Sequence, residues 1–99
     1  MDYLKGENSQ NQCFIVGFAN NCPERPHHRS SSCPAVGACD WDAYNSGSAN
    51  PMILYGALAG GPNQNDQYTD DRGDYIANEV ATDYNAGWQG AVAGLIQME

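Results

Sequence analysis

The sequence has very few cations. Its 99 residues carry a net charge of −8, and the positive side chains are only Lys5, Arg25, Arg29 and Arg72. Nucleic-acid binding requires a basic footprint, so we expect no nucleic-acid partner. Attraction to an anionic membrane surface is disfavoured for the same reason. No apolar run approaches the roughly 20 residues of a membrane-spanning helix, so we expect no membrane segment.

The cysteines lack metal-binding spacing. No C-x-x-C pair occurs among Cys13, Cys22, Cys33 and Cys39, so a zinc finger or ribbon is poorly supported. An even number of cysteines in a loop-rich acidic chain is compatible with disulfides and with a secreted, extracellular protein. Cys33 and Cys39 bracket a short Pro/Gly loop, and we predict a disulfide between them. Cys13 lies in an apolar run and is also compatible with a buried free thiol.

Long aliphatic stretches are missing as well, whereas 11 Gly and 5 Pro are present. So much loop is unusual in a compact domain, and it favours a piece of a larger body over a small disulfide-held domain. The segments predicted from the pattern are a helix end closed by Gly6, a buried extended segment at 13–19, a proline-broken loop at 20–34, a polar loop at 40–51, a short helix at 51–61, a loop at 62–74 and a long helix at about 75–98.

Carboxylates accumulate before the last predicted helix. Six of them fall between Asp66 and Asp83, and Arg72 is the one cation among them. Crowded carboxylates are harder to ionise, which suits either a bound cation or acid chemistry. A solvated acidic loop is the simpler interpretation, and composition alone favours it. An EF-hand is rejected, because Tyr68 and Arg72 occupy two of its ligand positions.

Two smaller features have both functional and structural interpretations. Glu79 is a candidate general acid, or else a first-turn glutamate stabilised by the helix dipole. The loop histidines His27 and His28 belong either to a catalytic pocket, to a metal site or to the solvated surface.

Two longer runs resemble a known family. C-F-I-V-G-F-A-N-N-C-P-E-R-P-H-H-R at 13–29 is similar to the first active-site signature of glycoside hydrolase family 9. The run at 68–86 resembles the second signature of that family. Its matching positions are Tyr68, Asp70, Tyr75, Glu79, Ala81, Asn85 and Ala86.

The resemblance implies an all-α fold, with residues 1–99 as the C-terminal fragment of an (α/α)6 barrel of twelve helices. It implies a secreted, inverting endo-β-1,4-glucanase that acts on cellulose or another β-1,4-glucan without a cofactor. The implied roles are general acid for Glu79, active-site histidine for His27, signature aspartate for Asp70, sugar-binding arginine for Arg29 and substrate-contacting aromatic for Tyr84.

One part of the family pattern is missing. An inverting glycosidase needs a second carboxylate as base, and in this family an Asp-Ala-Gly-Asp motif supplies it. No such motif occurs in this sequence. We therefore expect the base to come from an N-terminal part of the same domain, and the 99 residues alone to be inactive.

Two other functions remain open. One is a catalytically inactive carbohydrate-binding or structural module in which Trp41, Tyr44, Tyr55 and Trp88 stack on sugar. The other is a secreted metal-binding mini-domain that uses His27, His28 and the acidic loop.

Overall fold

A computed structural model describes residues 2–98, and the regular elements of this part are all helices. They are α1 (Arg29–Ser32), α2 (Trp41–Asn45), α3 (Tyr75–Asn78) and α4 (Thr82–Met98). Strand pairing among the described residues is limited to isolated β-bridges. The expected all-α character with long loops is therefore confirmed for residues 2–98. None of the described helices is both long and apolar enough to span a membrane.

The core is built on the apolar run at 13–16, in which all four residues are buried. Its backbone bonds to neighbouring segments, since Phe14 N–H donates to Leu4 O at 2.9 Å and Val16 N–H donates to Ala57 O at 2.8 Å. The Phe14 ring meets the edge of Tyr68 at a centroid distance of 5.1 Å. The predicted buried extended segment is thus confirmed over 13–16, and the chain turns at Gly17.

Three isolated bridges connect this core to the cleft described below. Ile15 pairs with Leu58. Ala59, which follows Leu58, pairs with Val80, and Glu79, which precedes Val80, pairs with His27. Each bridge holds two backbones about 4.8 Å apart. The loop that carries His27 is therefore fixed to the core through two intermediate segments.

The predicted helix at 75–98 is interrupted. Its first turn is α3, the residues from 79 to 81 are not helical, and α4 begins at Thr82. The backbones of Glu79 and Val80 pair with other segments instead, and those bridges replace the helical hydrogen bonds. Tertiary pairing therefore overrides the helical periodicity at these positions.

Two further element predictions are wrong. Residues 51–61 form no helix but run through bends and a turn, because their backbone pairs with the core segment and with Val80. The predicted loop at 40–51 contains α2, whose first N–H groups are capped by the Asp40 carboxylate. Of the helix end predicted at 1–6, Met1 lies outside the described residues and 2–6 form turns, not an α-helix. The closing geometry is present, since Glu7 N–H donates to Asp2 O at 3.0 Å and Gly6 has φ +118°.

The cysteines form two disulfides. Cys33 and Cys39 are paired as predicted. Cys13 is not a free thiol, because it is bonded to Cys22 inside the core, where Leu4, Leu58 and Trp88 pack against the pair. Apolar surroundings alone do not distinguish a buried thiol from a buried disulfide, which explains the error.

Candidate active site

A cleft of about 380 Å³ opens between α1, α2 and the loop before α1. This volume is within the range of small-ligand sites. The lining side chains are His27, His28, Arg29, Ser32, Cys39, Asp40, Trp41, Tyr44 and Arg72. The structure therefore brings two of the predicted site residues, His27 and Arg29, to one surface.

Side-chain caps fix the two short helices that line the cleft. His28 caps α1 through Nδ1, which accepts from Ser31 N at 3.3 Å. Asp40 caps α2 by accepting from Asp42 N at 3.1 Å. The Cys33–Cys39 disulfide joins the end of α1 to the residue before this cap. The start of α2 is thus held both covalently and by hydrogen bonds.

Aromatic rings form a row along the cleft. Trp41 lies 5.4 Å from Tyr44, and Tyr44 lies 6.3 Å from the His27 ring, both in edge-to-face geometry. Tyr75, which lies outside the cleft lining, has its ring centroid 6.2 Å from that of His27. Trp41 is 75% exposed and Tyr75 is 62% exposed, so ring faces remain open to a ligand.

The His27 ring has a defined orientation. Its Nδ1 lies 2.8 Å from the carbonyl oxygen of Arg72. A carbonyl only accepts hydrogen bonds, so Nδ1 carries the proton and donates it. In the neutral ring, Nε2 is then an acceptor, and no residue within 2–98 occupies it.

Arg72, the one cation among the crowded acids, forms no ion pair with them within residues 2–98. Its guanidinium is buried and donates to oxygens of α2 and of the loop that follows it. The acceptors are the carbonyls of Ala43, Tyr44, Ser46 and Ser48 and the amide oxygen of Asn50. Arg72 therefore shapes the wall that carries Trp41 and Tyr44.

Asp70 is surrounded by donors. Its carboxylate accepts from Glu24 N at 2.8 Å, from Arg25 N at 3.1 Å and from Asn78 Nδ2 at 2.9 Å, and it pairs with the Arg25 guanidinium at 3.2 Å. These bonds match the roughly four lone-pair positions of a carboxylate. In this structure Asp70 anchors the His27 loop, and a direct part for it in a reaction stays a prediction.

Glu79 differs from the other acids near it. It is half-buried, and its backbone pairs with that of His27. Within residues 2–98, no side chain or backbone N–H donates to its carboxylate and no cation pairs with it. Glu79 is therefore a carboxyl group on a fixed backbone that is available to a ligand.

The remaining aromatic candidates lie elsewhere. Tyr84 is in the first turn of α4 and is 39% exposed, but it does not line the cleft. Trp88 is partly buried against the core cluster that contains Cys13 and Cys22 and does not line the cleft, so the geometry gives no support to Trp88 as a sugar-stacking residue. Tyr55 covers Gly17 and lies outside the cleft. Of the four aromatic residues considered for stacking, Trp41 and Tyr44 line it.

Sequence reasoning missed two buried amides. Asn50 and Asn78 are 6% and 0% exposed, and both bond to the loop before α1. Asparagine is common in exposed loops, so nothing in the sequence distinguished these two. Next to Asn78, burial raises the pKa of Tyr68 well above its usual range, and Asp70 and Asp74 add to the shift.

The metal-site interpretation gains no support from the geometry. Within residues 2–98, no three side chains of His, Cys, Asp or Glu gather into a potential metal site. His27 is bound through Nδ1 to a carbonyl, and His28 caps α1 through the same ring nitrogen.

The family model, the related sequences and the similar solved structures all indicate the same protein family. Residues 1–92 match the model of glycosyl hydrolase family 9. An endoglucanase of Dictyostelium discoideum is 50% identical over 96 residues, which cover 97% of this chain and 13% of that protein.

Two solved structures are also similar. The endoglucanase of the termite Nasutitermes takasagoensis superposes with a TM-score of 0.90 at 56% identity, covering 98% of this chain and 22% of that one. Endoglucanase CelQ of Clostridium thermocellum, solved with cellobiose and cellotriose, has a TM-score of 0.81 at 45% identity, covering 95% of this chain and 15% of that one. The chain thus spans less than a quarter of the length of these relatives.

Proposed function

Because the chain belongs to glycosyl hydrolase family 9, we propose that residues 1–99 are the C-terminal portion of the catalytic domain of an endo-β-1,4-glucanase. The complete protein forms an (α/α)6 barrel and hydrolyses internal bonds of cellulose or another β-1,4-glucan with inversion. In it, Glu79 is the general acid. Endoglucanase relatives, one of them solved with cellobiose and cellotriose, support a glucan substrate.

The state of Glu79 is the observation that carries this proposal. Its carboxyl is half-buried and without a partner among residues 2–98, while its backbone is held against that of His27. A general acid needs this combination, because the carboxyl must reach a substrate oxygen from a fixed position. The anchored carboxylate of Asp70 lacks that freedom.

The reaction needs two carboxyl groups. Glu79 gives its proton to the glycosidic oxygen while the bond between that oxygen and C1 breaks. A water attacks C1 from the opposite face and passes a proton to a base about 6.5–9.5 Å from the acid. C1 ends with the inverted configuration, and Glu79 regains a proton from solvent. The base comes from outside residues 1–99, since the family's Asp-Ala-Gly-Asp motif is absent from them.

Other side chains in the cleft and outside it bind the sugar. With Nδ1 held by Arg72, His27 offers Nε2 to a sugar hydroxyl. Arg29, which is exposed at the edge of the cleft, donates to further hydroxyls. Trp41 and Tyr75 present exposed ring faces for the C–H faces of pyranose rings. We also assign Tyr84 to substrate contact in the complete protein, by its place in the second signature.

The test is Glu79→Gln in the complete protein, with reducing-end release from a soluble β-1,4-glucan as the readout. We expect activity to fall about 10²- to 10⁴-fold, the usual contribution of general acid catalysis. Asp83→Asn is the matched control, because Asp83 is an exposed carboxylate of the same stretch outside the cleft. Full activity in Glu79→Gln would refute the assignment of the acid.

The isolated chain tests the partial-domain proposal separately. Purified residues 1–99 should release no reducing ends, because they contain no base. Release that is abolished by Glu79→Gln would show instead that these residues hold a complete site.

The exposed aromatic row favours one second candidate, a carbohydrate-binding module without catalysis. It predicts that the complete protein binds glucan without turnover, and that Glu79→Gln leaves the binding unchanged. Loss of binding in Trp41→Ala together with turnover by the unmodified protein would instead favour the enzyme.

We further propose that the protein is secreted, since its two disulfides are stable in an oxidising compartment. Detection of the disulfide-bonded protein in the culture medium of the source cells tests this. Retention of a reduced form inside the cells would contradict it.

A further inference from the structure

Asn78 is the residue immediately before the proposed acid, and its side chain is entirely buried, with 0% exposure. Its Nδ2 donates to Arg25 O at 2.7 Å, to Asp70 Oδ1 at 2.9 Å and to Asp71 O at 3.2 Å. Its Oδ1 accepts from the Tyr68 hydroxyl. One carboxamide therefore joins the loop before α1 to the acidic loop.

The backbone of Asn78 makes a second set of connections. Its N–H donates to Asp74 O at 2.9 Å, which closes α3. Its carbonyl accepts from His27 N at 2.8 Å, which begins the pairing of His27 with Glu79. The carbonyl of the peptide link to Glu79 is thus fixed, and so is the N–H of the peptide link before it.

We propose that Asn78 is a positioning residue that fixes the direction of the Glu79 carboxyl relative to His27; this rests on the proposed role of Glu79 as the acid. The helix stops at Glu79, which has φ −75° and ψ 138°. Ala77 and Ala81 favour continuing it. A helical ψ of about −42° at Glu79 would break the pairing of its backbone with that of His27. The buried carboxamide prevents that extension by holding Asn78 to the His27 loop.

The site requires an amide of this length. Two N–H groups are needed for the Arg25 carbonyl and the Asp70 carboxylate, and an acceptor is needed for Tyr68. A carboxylate offers no donor when ionised, and serine offers one. Glutamine adds a methylene to a fully buried position, which forces neighbouring groups apart.

The test uses Asn78→Ala in the complete protein with two substrates of different leaving group. An unmodified cello-oligosaccharide needs a proton on its leaving oxygen, whereas dinitrophenyl β-cellobioside releases a stable phenolate without one. For Asn78→Ala we expect kcat/KM on the oligosaccharide to fall about 10- to 100-fold, the effect of a displaced catalytic group. On the dinitrophenyl substrate we expect less than about a 3-fold fall. A fraction of unfolded enzyme lowers both rates equally.

Asn8→Ala is the matched control. Like that of Asn78, the Asn8 side chain makes four hydrogen bonds. All four go to backbone atoms of the segment 3–12, away from the cleft. Asn8→Ala should lower kcat/KM on the oligosaccharide and on the dinitrophenyl substrate by the same factor, or change neither. If Asn78→Ala does not fold, Tyr68→Phe removes only the bond to Oδ1, and its rates should shift in the same direction by a smaller factor.

Glu79→Gln separates this inference from the proposed function. Selective loss on the oligosaccharide in both Glu79→Gln and Asn78→Ala supports both. Selective loss in Glu79→Gln with proportional loss in Asn78→Ala, or in Tyr68→Phe where that variant replaces it, overturns the positioning role alone. Proportional loss in Glu79→Gln itself overturns the acid assignment, and the inference with it.

Discussion

At the scale of single residues, the cleft depends on buried polar side chains. Arg72 and Asn78 are 4% and 0% exposed, and each bonds to several segments distant in sequence. A buried polar group that loses its partners costs about 1–3 kcal/mol, and more when it is charged. These side chains therefore fix loops that have few regular backbone bonds of their own.

Tyr68 gives a prediction about alkaline stability. Its pKa is raised in the folded protein by burial and then by Asp70 and Asp74, so the unfolded chain loses this proton first as pH rises. The Tyr68 contribution to stability is complete below the ordinary tyrosine pKa of about 10 and is lost above it. The free energy of unfolding should then fall by up to about 1.4 kcal/mol per pH unit.

Tyr68→Phe lacks this titration. Denaturant unfolding of both proteins from about pH 8 to about pH 11 should show the difference between them shrinking at high pH. Tyr55→Phe removes the same atom from an exposed ring and serves as the control. Parallel loss of stability in Tyr68→Phe and the unmodified protein would contradict the prediction.

At the scale of elements, close approach between segments matters more than helix length. A Cβ on Gly60 would lie 2.3 Å from Ile76 O and 3.2 Å from Ala77 O. Both oxygens belong to α3, the element that ends at Asn78. The contact between the 58–61 segment and α3 therefore requires glycine.

We predict that Gly60→Ala lowers the free energy of unfolding by about 1–3 kcal/mol, the usual cost of overpacking. Gly47→Ala is the control, because nothing lies within 4 Å of a Cβ there. Denaturant unfolding measures both variants. Equal stability of the two would show that α3 moves freely away from Gly60.

The sequence predicted the elements that depend on local chemistry. The Gly6 cap, the buried run at 13–16 and the Cys33–Cys39 pair all follow from residues close together in the chain. The break at 79–81 and the guanidinium of Arg72 depend on partners far away in sequence. No local pattern carries that information, so the break was predicted wrongly and the partners of Arg72 were not predicted.

The candidate site divides in the same way. Matching to two family signatures selected His27, Arg29 and Glu79, and the structure gathers the first two at one cleft with the third paired to His27. Asn78 is not among the positions that match the signature. Its function depends on burial, which the signature does not record.

At the scale of the whole molecule, no other helix of residues 2–98 packs against α4, which contacts the core through Trp88. Residues 2–98 extend 47 × 28 × 22 Å, and the end of α4 exposes Leu95, Ile96 and Met98. Exposed apolar side chains at this density are typical of a surface that another segment covers. The proposed remainder of the barrel supplies such a segment.

Gly90, near the middle of α4, tests this packing. Nothing lies within 4 Å of a Cβ on Gly90 in this chain. In isolated residues 1–99, Gly90→Ala should therefore raise helicity and stabilise α4 by about 1 kcal/mol. In the complete protein it should destabilise, because small residues at such positions allow a second helix to approach closely.

Circular dichroism of the isolated chain and denaturant unfolding of the complete protein measure the two effects. Gln89→Ala alters an exposed neighbour and should change little in either. Stabilisation of the complete protein by Gly90→Ala would show that no helix packs on this face.

Arg72 has one more consequence, for how the cleft can diverge among descendants of this protein. On α2 and the loop after it, Arg72 contacts main-chain oxygens of Ala43, Tyr44, Ser46 and Ser48. Substitutions at these positions leave those oxygens in place, whereas an inserted or deleted residue shifts them out of reach. The side chains of this wall can therefore change by mutation, while the number of residues in the segment should stay almost constant.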